Sequence, residues 1–403
     1  MKTWDKIIHY PKIGVILLAY VAFVALGMPD GLLGVAWPSI RASFSVPLDA
    51  VALLMFISAG PYLASSFLSG VLISRWGVGR LLAISCALTG VGLFGFTIAP
   101  QWWIMVSMSV LTGFGAGAID SGLNAYVAAN LSEGLMQWLH ASYGVGITLG
   151  PIIMTLSLSN LDSWRAGYRI VAAFQFFMAL CFALTLPMWK SSPAADKQDK
   201  VVFTEYKTPM SATLRQPRVW LSAALFFLYV GAEVSLGTWA YTLLTESRGV
   251  DPTAAGFITG SYWATFTIGR FLAGILTRKA GIHRMVLGGA GFALTGALLL
   301  LWNPFPLASL VAVAIIGLAI APIFPAMMSG TSLRVSDRFA SNTIGIEMAA
   351  SSLGNLVITS LMGVLARRVS LEVIPFCLVI VFTGLISLYR LSMRPQKVQE
   401  NLI

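Results

Sequence analysis

Six ionisable residues sit well inside long apolar stretches of the chain: Asp30, Asp120, His140, Glu233, Arg270 and Glu347. On insertion scales a charged residue at the centre of a membrane helix costs about 2.5–3.5 kcal/mol. Four unpaired carboxylates would thus cost on the order of 10 kcal/mol. They must line a wet cavity, find partners, or take up protons. Desolvation favours the neutral form of a carboxyl, which brings its protonation within reach of a transmembrane gradient. The chemistry open to such residues is the binding and release of protons, or the holding of a polar solute where water is scarce.

The densest set lies in GFGAGAIDSGLNAYVAANLSEGLMQWLHASYGVGITLGP, residues 113–151. Gly113, Gly117, Asp120 and Asn124 fall at i, i+4, i+7 and i+11, one narrow stripe of a helix. After a turn near Asn130–Gly134, Gln137, Ala141, Gly144, Thr148 and Pro151 make a second stripe, with His140 beside it. Asp120 lies about 9 residues before the turn and His140 about 6 after it. At 1.5 Å per residue both sit roughly 9–14 Å from one membrane face, so they could meet. Two readings of each stay open. Asp120 and Asn124 either face a cavity or glue two helices together, and His140 is either a proton partner or a core histidine bonded to a carbonyl.

The other acids have their own settings. Asp30 shares a stripe with Gly27, Gly34 and Trp37 and follows Pro29, which frees a backbone carbonyl one turn earlier. Glu233 shares a face with Gly237 near Trp239 and Tyr241, as a substrate wall would. Arg270 lies with Trp263, Thr267 and Gly274 about two turns from a helix end, where it either snorkels or forms a gate ion pair. Glu347, on a stripe with Ser351 and Gly354, is its candidate partner. The expected proton-coupling residues are therefore Asp120, His140, Asp30 and Glu233. The expected substrate contacts are Asp30, Asn124, Gln137, Glu233, Trp239 and Tyr241.

Elements that could position these residues follow from composition. Of 403 residues, 57% are hydrophobic and only 10% charged, against about 25% charged in soluble domains. Twelve apolar segments, from 13–37 to 372–392, each meet the requirement of about 20 residues for a spanning helix. The net charge of +10 is unevenly spread. With both termini cytoplasmic, Arg41, Arg165, Arg169, Arg248, Arg367 and Arg368 fall outside, Arg270 falls within a helix, and the remaining Lys and Arg fall inside. That is the positive-inside bias of a membrane protein, not the footprint of a nucleic-acid binder. No cleavable signal peptide is evident, so the first apolar run is expected to remain as the first span. Cys86, Cys181 and Cys377 all fall in spans and suit neither a disulfide framework nor a spaced metal site. The glycines of GFGAGA lack a strand–turn–helix setting, and no HExxH, Walker or G-x-S-x-G motif occurs. No enzyme activity, cofactor or metal is expected.

One long polar interruption, 190–217, separates an expected N-terminal six-helix bundle (1–189) from a C-terminal one (218–403). The halves repeat: FLSGVLISRWGVGRLL (67–82) lies over FLAGILTRKAGIHRMV (271–286), and the same shift sets Gly113 over Gly317. A nearby shift sets Asp30 over Glu233. Parallel repeats of this kind place substrate sites near the midplane where the repeats meet.

Twelve spans, a central loop, and a glycine–basic loop after the second span repeated after the eighth resemble the major facilitator superfamily over essentially the whole chain. The resemblance implies an all-α integral membrane fold of two pseudo-symmetric six-helix bundles working by alternating access. One departure is visible: the family's usual Asp, four residues after the loop glycine, is replaced by Ser74 after Gly70 and by Arg278 after Gly274. The ion-pair latch attributed to that Asp therefore does not carry over. The acid and Asn of the fourth span followed by LHASYGVGITLGP resembles the fucose-permease-like branch, with its sodium-dependent glucose transporter-like relatives. In that branch acids on spans 1 and 4, here Asp30 and Asp120, serve substrate binding and proton coupling. The resemblance implies proton-coupled symport of a sugar-like solute (Na⁺ being the alternative ion) by a monomer in the plasma or inner membrane. Export of drugs or amphipathic substrates is the competing expectation, because the spans hold few Asn and Gln.

Overall fold

Long apolar stretches with few breakers fold here as long helices, as lipid requires when it offers no partner for backbone amides. The structure, a computed structural model, describes residues 13–130, 133–189 and 208–393, without the side chains of 128–137, 274–280 and 341. Of the described residues, 13–32 and 53–189 form one compact unit. Residues 33–52 and 208–393 form a second.

The first unit holds most of α1 (Ile13–Phe44, as far as Leu32) and of α2 (Val51–Trp76, from Leu53), with α3 (Val78–Ile98), α4 (Trp102–Asn130), α5 (Glu133–Leu161) and α6 (Trp164–Leu184). The second unit has α7 (Met210–Leu214), α8 (Pro217–Thr242), α9 (Pro252–Ala280), α10 (Ile282–Trp302), α11 (Ala308–Ile320), α12 (Ile323–Ser329), α13 (Thr331–Val335), α14 (Asp337–Arg368) and α15 (Val373–Ser392). Among the described residues, 11 helical stretches are long and apolar enough to cross a membrane. The expected eighth span is the continuous 29-residue helix α9, long enough to span as well. Large apolar side chains stay uncovered on the outer faces, such as Phe67 at 85% and Phe292 at 68% exposed; lipid would cover them.

Prolines act as steric reasoning predicts in one place and not in another. Span 10 breaks at Pro322, between α11 and α12. Pro29, by contrast, leaves α1 unbroken, so no helix opening beside Asp30 is present. The last part of the polar connection is folded rather than free: the Thr208 hydroxyl donates to the Arg338 carbonyl, and Asn342 Nδ2 donates to the Thr208 carbonyl and Thr213 Oγ1. Residues 190–207 of that expected linker lie outside the described residues.

The internal repeat is written in the backbone. Gly77 before α3 and Gly281 before α10 hold φ 79° and 76°, the left-handed region that only glycine enters freely. Both helices then run 21 residues. A Cβ on Gly113 would lie 2.3 Å from the Ser58 carbonyl, and one on Gly317 would lie 2.3 Å from the Tyr262 carbonyl. The equivalent glycines thus perform equivalent packing in each unit.

Candidate functional site

In the first unit three glycine contacts, in two helix pairs, bring the key side chains together. A Cβ on Gly117 of α4 would lie 2.2 Å from the Tyr62 carbonyl of α2, so those backbones touch. At that contact Tyr62 Oη donates to Asp120 Oδ2 at 2.5 Å. The glycine stripe of α4 therefore faces α2. Likewise a Cβ on Gly146 of α5 would lie 2.1 Å from the Val24 carbonyl, and one on Gly31 of α1 would lie 2.3 Å from the Ile147 carbonyl. With α1 and α5 this close, Tyr143 Oη donates to Asp30 Oδ2 at 2.7 Å.

These pairs belong to one network. Asn124 Nδ2 donates to Asp120 Oδ1 at 2.8 Å and to its own helix at the Asp120 carbonyl, 3.0 Å away. Asp120 and Asp30 are within electrostatic reach of each other, and His140 is within reach of Asp120. The ring of His140 also packs edge-on against Phe23 at 5.8 Å. Asp30 is exposed although deep among the helices, and Asp120, Asn124, Tyr62 and Tyr143 are half-buried. Two carboxylates, each held by a phenol, therefore border accessible space rather than a sealed core. Tyr62 and Tyr143 are not among the residues that sequence patterning singles out. Their only signal is a hydroxyl on a span otherwise lined with small residues.

Elsewhere the expected set is divided. The Gln137 side chain lies outside the described residues. Trp239 is 0% exposed and its Nε1 donates to the Thr359 carbonyl at 3.0 Å, while its ring covers Gly363. Tyr241 is buried too, so neither aromatic lines an open wall here. Glu233 on α8 interacts with Arg270 on α9. Tyr262 Oη donates to the Glu233 carbonyl at 2.7 Å, and the Arg270 guanidinium lies 4.3 Å over the Phe266 ring.

The expected Arg270–Glu347 pair is corrected by the structure. Glu347 instead meets Arg334 Nη2 at 2.9 Å, with both side chains sealed from solvent at 0% and 1% exposed. Ser222 Oγ and Thr331 Oγ1 also donate to Glu347, at 2.5 and 2.9 Å. This cluster knits α8, α13 and α14 and leaves no carboxylate lone pair facing open space. The polar residues Gln175 and Asn342 are likewise spent on packing, Gln175 Nε2 donating to the Ala25 carbonyl at 2.8 Å.

The family model for the Major Facilitator Superfamily matches residues 19–359 and 222–402. The chain belongs to the major facilitator superfamily. It is a multi-pass membrane transporter and not an enzyme. It is 21% identical over 356 residues to the glucose/mannose transporter GlcP of Bacillus subtilis (strain 168), covering 87% of each chain. It is 23% identical to the Homo sapiens sodium-dependent glucose transporter 1, over 86% of this chain and 72% of that one. Among solved structures, a bacterial homolog of the human lysosomal transporter Spinster superposes with TM-score 0.74 at 15% identity, over 95% of this chain and 97% of the other. The nucleoside transporter NupG superposes with TM-score 0.76 at 13% identity, over 94% and 99%. At such identities the structural likeness speaks for the fold.

Proposed function

We propose that this member of the superfamily is a proton-coupled symporter of a sugar or sugar-like solute, working by alternating access. The observation that carries the reading is the network Asn124–Asp120–Tyr62 with Asp30–Tyr143 and His140, set in apolar helices yet open to accessible space. Protonating such a carboxylate removes the cost of keeping a charge in a closed, water-poor state. Asp120 is the coupling group, with His140 as its proton partner. Asp30, Asn124 and, in the second unit, Glu233 are substrate contacts, while Arg270 acts through Glu233. The sugar specificity of the named relatives supports the substrate class, and one relative's sodium dependence keeps Na⁺ as the alternative ion. The uneven spread of basic residues supports a reading with both termini cytoplasmic, in the cell's plasma or inner membrane.

The test is uptake of radiolabelled hexoses by purified protein in liposomes, driven by a proton or a sodium gradient. Asp120→Asn is expected to abolish pH-driven accumulation while leaving some exchange. Accumulation by that variant on a proton gradient alone would refute the assignment. A second reading, export of amphipathic substrates, draws on the use of Gln175 and Asn342 in packing, which leaves few amides for hydroxyls. Dye efflux from the same liposomes, without hexose uptake, would favour it.

A further inference from the structure

A cavity of about 360 Å³ opens in the second unit between the start of α10 and the ends of α12 and α15. That is at the small end of ligand pockets, which span roughly 300–1,000 Å³. His283, Arg284, Gly330 and Tyr389 are in its wall, and among the described residues no carboxylate lines it.

Two sets of hydrogen-bond donors are in its wall, and a third lies behind Gly330. Gly281 offers α10 no side-chain cap, so the first-turn N–H groups lack helical acceptors and carry the positive end of the helix dipole. Tyr389, 1% exposed and itself in the wall, has a buried hydroxyl with no hydrogen-bond partner among the described residues. Its ring lies against His283 at 5.6 Å. Behind Gly330 lies Arg334. Its Nε donates to Ser222 Oγ at 2.8 Å, and its Nη2 donates to Thr331 Oγ1 and Glu347 Oε1 at 3.0 and 2.9 Å. Its Nη1, equally buried, has no hydrogen-bond partner among the described residues. A Cβ on Gly330 would sit 3.3 Å from that Nη1, so glycine at this wall position is what keeps the approach open.

Buried donors without acceptors are destabilising and rare in native folds. Two of them at adjacent places, behind a mouth carrying Arg284 and an uncapped helix start, require an acceptor with several oxygens and negative charge. We propose that this cavity binds a phosphate-type oxyanion, held at its mouth by Arg284 and the α10 N-terminus and at its floor by Tyr389 Oη and Arg334 Nη1. The donor set is independent of the acidic network of the first unit. The anion is either the headgroup of an acidic lipid, as basic pockets between membrane helices hold, or a soluble phosphate.

Thermal unfolding of the purified full chain in neutral detergent tests this, with inorganic phosphate against chloride at equal ionic strength in one arm. In the second arm phosphatidylglycerol is compared with phosphatidylcholine in mixed micelles. Stabilisation by phosphate in the first arm identifies a free anion, and stabilisation by phosphatidylglycerol alone identifies a headgroup. In either case Arg284→Ala and Tyr389→Phe should each weaken the apparent affinity about tenfold, as loss of one charge-assisted or buried hydrogen bond does. Tyr389→Phe keeps the ring that packs on His283, so it tests the hydroxyl without removing the core side chain. No stabilisation in either arm, or a stabilisation that both variants keep in full, would overturn the proposal.

Discussion

Replacing Glu347 by Gln keeps the size of the side chain and removes its charge. In the structure that carboxylate is sealed and receives Arg334 Nη2, Ser222 Oγ and Thr331 Oγ1. The amide leaves the Arg334 guanidinium, 1% exposed, without a counter-charge. Breaking one side of a buried pair costs about 3–5 kcal/mol. For a unit of this size about 2–4 °C accompany each kcal/mol, so the melting temperature should fall on the order of 6–20 °C. The double variant Glu347→Leu with Arg334→Met removes both charges, and apolar replacement of a buried pair is often neutral or stabilising. It should therefore recover most of the loss. Arg270→Met is the control, because Arg270 lies beside Glu233 and Phe266, not Glu347. Thermal unfolding of the parent, these three variants and the singles Glu347→Leu and Arg334→Met in one detergent reads all of this. If Glu347→Gln loses less than about 1 kcal/mol, the buried-pair reasoning fails. It fails equally if the double variant falls by the sum of its singles.

Further outcomes follow from the geometry. Gly146→Ala would put a methyl group 2.1 Å from the Val24 carbonyl. It should cost about 1–3 kcal/mol through overpacking and shift the pH profile of transport by pulling Tyr143 from Asp30. Melting curves and uptake against pH, in that order, check both effects. At the α14–α15 turn, the hydrogen bonds from Arg248 hold the Glu372 carboxyl below its ordinary value. A lowered carboxyl stabilises the fold fully above the ordinary carboxylate range, and the contribution is lost as pH falls through the folded value. Glu372 is 42% exposed, so solvent screening limits the term to about 1 kcal/mol or less. Melting temperatures taken from neutral pH down to about pH 3 should accordingly fall less steeply in Glu372→Gln than in the parent.

Much of this protein was legible without coordinates because lipid imposes one-dimensional rules. Runs of about 20 apolar residues must become helices, and the basic loops give their expected orientation. The repeat of 67–82 in 271–286 anticipated that Gly77 and Gly281 would start equivalent helices. Asp30, Asp120, Glu233 and Glu347 were visible as costly residues in the wrong solvent, since that cost depends on depth alone. Their partners were not visible. Helical periodicity tells which residues share a stripe on one helix, but says nothing of how that helix is rotated against its neighbours. That rotation is decided by close backbone contacts such as Gly117 on Tyr62 and Gly146 on Val24. Only the packed chain could assign Tyr62 to Asp120, Tyr143 to Asp30 and Arg334 to Glu347, and draw Trp239 into a helix interface. Sequence determined that acids are submerged and where along each helix; tertiary structure decided which of them stay open to solvent and which are locked, because partners across helices are chosen by shape summed over the whole fold.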